Sequence, residues 1–390
     1  MKKIGGVIVS QLNHTNYGSF LQAFATLKVI ENAGWDITFI KYKKRRNLLD
    51  WIKIAPGLML SGGLELIFNK IKFKINSCRY PEYEKNQKIR QIATNELKNR
   101  YFVPHFKEYI GYKKLCEGSK EYDVCFVGSD QVWRPFGFYS NYWNLNFVDD
   151  SIPKFSYASS YGVSKIPSVQ KNGTRRYLER LDLISVREQK AKEIVETYSS
   201  KKAEVVADPT MLLTPNDWLE FANQSKKELP KDPYIFCYFL GNRADIRSEA
   251  RKLADSTGLK IVIMRHMDEY VPSDELVGDY APYDINAYDF VKLLSNAKYV
   301  CTDSFHGTVF SILTHRKFIT FYRVKPTNGN STHSRIDSLL YMFNLEERKF
   351  SGDIRDIEKE IDYNSVDITR NTFRRDSLDF LDRALKLGEK

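Results

Sequence analysis

The stretch most informative about chemistry is Val300-Cys301-Thr302-Asp303-Ser304-Phe305-His306-Gly307-Thr308. An apolar strand is expected to end at Thr302 and a helix to begin at Thr308, so titratable groups crowd the exit of a strand and the entry of a helix. Free N–H groups in a helix's first turn hold phosphate or carboxylate, and Gly307 would let a ligand come close to the backbone. Asp303 and Ser304 can be plain helix caps. His306 adds nothing to a cap, and an imidazole at such a turn is suited to proton transfer near neutral pH.

Two further turns share this layout. In Gly128-Ser129-Asp130-Gln131-Val132-Trp133 a buried strand runs into a polar corner. Asp130 and Gln131 could bind sugar hydroxyls and Trp133 could stack on a sugar ring, although Ser and Asp also satisfy backbone groups in ordinary turns. Ser10 to Gly18 forms the first such turn, where Asn16 and Gly18 suit a cap or an anion pocket. Arginines recur after predicted strands at Arg187 and Arg323, and again at Arg335. Several guanidinium groups converging on one cleft would grip a ligand carrying both phosphate and carboxylate.

Other chemistries find little support. The glycines near the first turn do not make a G-x-G-x-x-G dinucleotide fingerprint, and no P-loop or G-x-S-x-G elbow is present. The six histidines lack zinc-site spacing, so no metal and no resident cofactor is expected. Five scattered cysteines without a C-x-x-C pair argue for a reducing compartment, hence the cytoplasm.

The elements that must hold these turns alternate along the chain. Strands are predicted at 4–9, 36–42, 122–127, 154–159, 183–186 and 203–206, with helices at 20–33, 86–101, 175–181 and 189–197 between them. Asp208-Pro209-Thr210 and Pro215 then punctuate the sequence, as a crossing between domains would. The pattern resumes with strands at 234–240, 260–264, 299–302 and 318–322 and helices at 247–257, 287–296 and 308–313. At 390 residues two domains are expected. The expected architecture is α/β, with a first domain at 1–205, a second at 206–345, and a helical tail at 346–390 packing back. The carboxyl ends of the strands would line the cleft between them.

The formal charge of +11 is uneven. Residues 41–79 carry ten Lys and Arg against Asp50 and Glu65, interleaved with Trp51, Leu58 and Phe68. This basic insertion suits a membrane surface rich in anionic headgroups. A surface insertion packing on its own domain explains it somewhat better, and nucleic acid least well, because no nucleic-acid motif accompanies the charge.

Taken in order, these motifs resemble the polysaccharide pyruvyl transferase family. Asn16-Tyr17-Gly18-Ser19-Phe20-Leu21-Gln22-Ala23 is similar to its opening block, with Ser19 where Ala is usual. Gly128-Ser129-Asp130-Gln131-Val132-Trp133, Ser156 to Gly162, Ile184-Ser185-Val186-Arg187-Glu188, Asp208 to Leu213, Thr302 to Gly307 and Ser334-Arg335-Ile336 follow in the family's order. The resemblance implies two Rossmann-like domains facing a cleft, as in GT-B glycosyltransferases. It also implies transfer of a pyruvyl group from phosphoenolpyruvate to a pair of sugar hydroxyls, forming a ketal on a cell-surface polysaccharide precursor. On that expectation His306 and Asp303 are catalytic, with Asp303 orienting the imidazole or accepting a proton. Arg187, Arg335, Arg323, Ser304 and Gly307 hold the donor, and Asp130, Gln131, Trp133, Asn16 and Tyr17 the acceptor sugar or lipid-linked oligosaccharide. The alternatives are a GT-B glycosyltransferase using a nucleotide sugar and a non-catalytic scaffold of a membrane assembly complex.

Overall fold

The computed structural model describes residues 1–9, 15–44, 80–266, 270–324 and 334–389; the basic insertion expected at 41–79 lies outside them from residue 45 onward. The first domain runs β1 (Lys3–Val7), α1 (Tyr17–Asn32), β2 (Asp36–Lys43), α2 (Pro81–Tyr101), β3 (Phe106–Ile110), α3 (Tyr112–Ser119), β4 (Val124–Val127), β5 (Lys154–Ser159), α4 (Lys171–Glu179), β6 (Leu183–Val186), α5 (Gln189–Tyr198) and β7 (Glu204–Val205). Its seven strands lie in the order β3-β2-β1-β4-β5-β6-β7, and every neighbouring pair is parallel. Central strands such as Val-Cys-Phe-Val of β4 are buried at every position, as a parallel sheet covered by helices on both faces requires.

After α6 (Pro215–Asn223) comes the second domain: β8 (Tyr234–Tyr238), α7 (Ala244–Thr257), β9 (Lys260–Met264), α8 (Pro272–Val277), α9 (Ala287–Ser295), β10 (Tyr299–Thr302), α10 (Phe305–Leu313), β11 (Lys317–Thr320) and α11 (Ser334–Met342). Its four-stranded sheet has the order β11-β10-β8-β9, again parallel throughout. Reciprocal capping boxes, Thr214 with Asp217 and Asn286 with Asp289, fix the starts of α6 and α9.

Strand order reverses between β1 and β4 in the first sheet and between β8 and β10 in the second. In open α/β sheets such switch points open a crevice beyond the carboxyl ends of the strands. The turns after β4 and β10, singled out above for their chemistry, therefore stand at the two switch points. The last helix, α12 (Tyr363–Leu385), returns to the first domain. Ser377 Oγ accepts from the Ala207 N–H at 2.8 Å, Phe380 packs on Tyr157, and Arg383 pairs with Glu204. One apolar cluster continues from β1 and α1 through Trp218 and Phe221 to β8, α9 and α10, joining the two halves.

Candidate active site

The Gly128–Ser129–Asp130 corner that leaves β4 is built on backbone shapes few residues tolerate. Gly128 has φ +130°, and a Cβ there would lie 1.9 Å from the Tyr157 carbonyl oxygen, so only glycine fits. Asp130 is left-handed at φ 70°, a conformation its short polar side chain accepts more readily than most. The corner turns the Asp130 carboxylate toward Arg187, which leaves the end of β6. Arg187 Nη2 donates to Asp130 Oδ1 at 3.0 Å and Nη1 donates to Asp208 Oδ2 at 2.8 Å. Asp208 Oδ2 also accepts from Ser129 Oγ at 3.1 Å, while its Oδ1 accepts from the Thr210 amide and hydroxyl. The Arg187 side chain is 1% exposed and that of Asp208 fully buried, so this is a desolvated ion triad.

His306 enters from the second domain. It lies in the first turn of α10, which begins at Phe305, three residues earlier than predicted. Its Nε2 faces Asp208 Oδ2 at 3.6 Å, an electrostatic contact too long for a hydrogen bond. Its other ring nitrogen lies against Gly18 in the first turn of α1, where a Cβ would stand 2.2 Å from Nδ1. Phe305 places its ring 4.3 Å from the Arg187 guanidinium carbon, a second bridge between the halves. Arg335, at the start of α11, brings Nη1 to 3.9 Å from Asp130 Oδ1, and Arg323 lies beside Asp303 at 4.0 Å.

The charges interact strongly. Burial opposes ionisation of Asp130, but Arg187, His306 and Arg335 outweigh it and hold its carboxyl at about 2. Burial is likewise overcome at Asp208, where His306 and Arg187 keep the group well below the usual carboxylate range. Arg335 moves the other way: burial and the neighbouring Arg187 cation pull it down to about 9. A guanidinium depressed by burial and by a second cation beside it is short of negative charge, which is the condition an anionic ligand relieves.

The same cluster holds unspent hydrogen-bonding capacity. Nε of Arg187, Arg323 and Arg335, Nε2 of His306 and Oε2 of Glu188 are all buried without a hydrogen-bond partner among the described residues. Buried polar atoms are normally paired, and each orphan costs about 1–3 kcal/mol. Five orphans in one cluster, four of them on cationic or imidazole groups, leave it able to bind a polar ligand, an anion above all.

Several expected residues have other duties. Asp303 does not orient His306: its two carboxylate oxygens accept the Leu240 and Gly241 N–H groups at 2.6 and 2.9 Å, and Asp208 stands opposite the imidazole instead. Ser304 caps α10 by accepting the Gly307 N–H, so that amide is already used. Gly307 is required by packing, since a Cβ there would meet Thr302 Oγ1 at 2.4 Å. Trp133 is 5% exposed, held between Tyr161 and Tyr177, and offers no face to a sugar. Tyr17 is fully buried, stacked on Phe290, and donates its hydroxyl to the Ile285 carbonyl across the domain boundary. Asn16 caps α1 through the Ser19 N–H, and Gln131 lies against Gly162. Asp130 belongs to the arginine cluster itself. Of the expected set, the structure brings together His306, Arg187, Arg335 and Asp130, with Arg323 beside them. Sequence reasoning missed Asp208, Glu188 and the spatial role of Gly18, although all three lie in the motifs quoted.

Two parallel α/β domains that face each other through their strand ends, sharing one buried charged cluster, define a GT-B-like fold. Among solved structures, a Listeria monocytogenes protein described as a UDP-N-acetylglucosamine 2-epimerase matches 99% of this chain and 96% of its own, at 12% identity and TM-score 0.50. The Neisseria meningitidis UDP-GlcNAc 2-epimerase bound to UDP-GlcNAc (13% identity, TM-score 0.48, 95% and 99% covered) and Acinetobacter baumannii MurG (8%, 0.43, 100% and 95%) are also similar. No curated protein matches the chain. The sequence profile of the polysaccharide pyruvyl transferase family matches residues 16–324, which include Gly18, Asp130, Arg187, Asp208, His306 and Arg323. The chain belongs to that family and is a transferase enzyme.

Proposed function

We propose that this enzyme takes phosphoenolpyruvate as donor and forms a pyruvyl ketal on two hydroxyls of a sugar in a cell-surface polysaccharide precursor. The observation that carries this reading is the cluster of unpartnered arginine Nε–H groups around His306. A small donor bearing phosphate and carboxylate would satisfy them. In the proposed reaction the methylene carbon gains a proton, and a sugar hydroxyl attacks C2 while giving its proton to His306. Asp208 opposite the ring stabilises the resulting imidazolium. Phosphate then leaves C2, and the second hydroxyl closes the ketal. Arg187, Arg335 and Arg323 hold the phosphate and carboxylate and stabilise the charge that builds on the leaving group. The proposed steps use phosphoenolpyruvate as a substrate and call on no resident cofactor. Among the described residues no helix is long and apolar enough to cross a membrane. The reading places the enzyme in the cytoplasm, with its basic insertion meeting the inner membrane face where lipid-linked acceptors lie.

The test is incubation with phosphoenolpyruvate and candidate lipid-linked oligosaccharides, followed by mass spectrometry for the added pyruvyl ketal. Phosphoenolpyruvate at 100 times its Kd should stabilise the fold by about 2.7 kcal/mol. Stabilisation by a nucleotide sugar and none by phosphoenolpyruvate would overturn the reading in favour of glycosyl transfer. Arg335→Ala, losing charge-assisted hydrogen bonds worth about 1.5–3 kcal/mol, should weaken donor binding by one to two orders of magnitude. Unchanged affinity would remove Arg335 from the donor site.

A further inference from the structure

Addition of a hydroxyl across the enol ether needs an acid and a base in the same step. His306 cannot be a proton-accepting base and a proton-donating acid at once, so a second titratable group must stand by the donor. Four described carboxyl groups line the cluster. Asp130 and Asp208 are ionised partners of Arg187, and Asp303 is tied by two amides to the β8 turn. Glu188 remains.

Glu188 is the N-cap residue of α5, and its side chain accepts from none of the helix's first amides. The side chain turns instead into the cluster. Oε1 accepts from Ser160 Oγ at 2.7 Å, and Oε2 is left buried with no hydrogen-bond partner among the described residues. The residue is 1% exposed. The charged groups that act on it are Arg187, Arg335 and Asp130, from the ends of β6, α11 and β4. A donor bound to Arg187 and Arg335 would therefore lie within reach of the free oxygen.

We propose that Glu188 is the proton donor to the methylene carbon of the bound enolpyruvyl substrate, working with the His306–Asp208 pair as base. This rests on the phosphoenolpyruvate reading above. The balance closes over one turnover. As the Glu188 proton forms the new C–H bond with the π electrons of the double bond, the first hydroxyl bonds in the same step to the electrophilic C2 and its proton passes to His306. The C2–O bond to phosphate then breaks, and phosphate departs with the His306 proton. The second hydroxyl bonds to C2 and returns its proton to Glu188. Burial already raises the Glu188 pKa against the pull of Arg187 and Arg335, and a polyanionic donor alongside favours the neutral acid further.

Donor binding should thus be coupled to proton uptake. Calorimetric titration of phosphoenolpyruvate at pH 7.5, in buffers of differing ionisation enthalpy, should show net uptake by the wild-type enzyme and its loss in Glu188→Gln. That variant should bind the donor as tightly as wild type or more tightly, while kcat falls about 10²–10⁴-fold. Undiminished proton uptake in Glu188→Gln, or turnover within tenfold of wild type, overturns the assignment while leaving the donor reading intact. A wild-type enzyme that does not bind phosphoenolpyruvate overturns both. Ser160→Ala gives an independent check that keeps the carboxyl. Removing the hydroxyl donated to Oε1 disfavours the carboxylate, so the alkaline limb of the kcat profile should move to higher pH. A limb that stays in place in this variant also overturns the proposal.

Discussion

Gly18→Ala should nearly abolish turnover without unfolding the protein. A methyl group at this position would stand 2.2 Å from His306 Nδ1, 2.6 Å from Cγ and 2.9 Å from Cβ. Non-bonded heavy atoms settle at about 3.5–4.0 Å, so the imidazole has to retreat by more than 1 Å. Displacements of that size at a reacting group cost about 10²-fold in rate. Stability moves little, because two effects oppose each other. Alanine favours the first turn of α1 over glycine by about 1 kcal/mol, while overpacking costs about 1–3 kcal/mol. The assay is steady-state kinetics with saturating donor, paired with thermal melting. The expected result is a kcat about two orders of magnitude lower, a donor KM changed much less, and a melting temperature within a few degrees of wild type. A Gly18→Ala enzyme with kcat within threefold of wild type would refute the reasoning, because the imidazole would then not need the place it occupies.

Trp133→Ala should destabilise the first domain by about 3–5 kcal/mol, measured by urea denaturation, since it empties a buried aromatic site. The acceptor KM of the folded fraction should be unchanged; a large rise in KM would restore Trp133 as a sugar platform. Asp130 supplies a pH dependence. Its carboxyl is held at about 2 in the folded state, below its unfolded value near 4. Its contribution, about 2–3 kcal/mol, is therefore present above about pH 4 and lost as pH falls toward 2. In Asp130→Asn the denaturation free energy should be lower than wild type at pH 7, and the gap should close between pH 4 and pH 2. A gap that persists at pH 2 would show that the loss comes from packing rather than charge.

The strands were the most legible part of the chain. β5, β6, β9 and β10 lie where the sequence predicts them, because a strand buried on both faces of a parallel sheet must be a short apolar run. β3 was not foreseen. It is an edge strand, and in Phe106-Lys107-Glu108-Tyr109-Ile110 only Tyr109 is buried, so it carries no such run. The starts of α5 and α9 coincide with the predicted residues 189 and 287, whereas three other helices begin earlier by one common margin. α1, α7 and α10 begin at Tyr17, Ala244 and Phe305, three residues before the positions predicted. Their first turns carry the polar or glycine residues that resemble loops, and in α1 and α10 those residues belong to the site. The turns bearing His306, Arg187 and Asp130 could be located from sequence because strand ends are where α/β folds keep their chemistry. Their partners could not. Whether His306 faces Asp303 or Asp208 depends on how two domains dock, and no local pattern in either segment records it.

That docking also limits how the enzyme can move. Facing domains are expected to hinge freely unless a large apolar interface joins them. Here the joint is such an interface. Tyr17 of the first domain stacks on Phe290 of the second, Phe24 packs on Trp218 and Phe221, and the Tyr101 hydroxyl meets that of Tyr288. The contacts of the proposed site lie along the same seam, with His306 against Gly18 and Asp208, and Phe305 over Arg187. Separating the domains would expose this continuous core and dismantle the site in one motion. The imidazole, the ion triad and the arginines are therefore set in register before substrate arrives, as electrostatic preorganisation requires. Donor entry must then proceed by local movement at the strand ends, with the two sheets holding their relative positions.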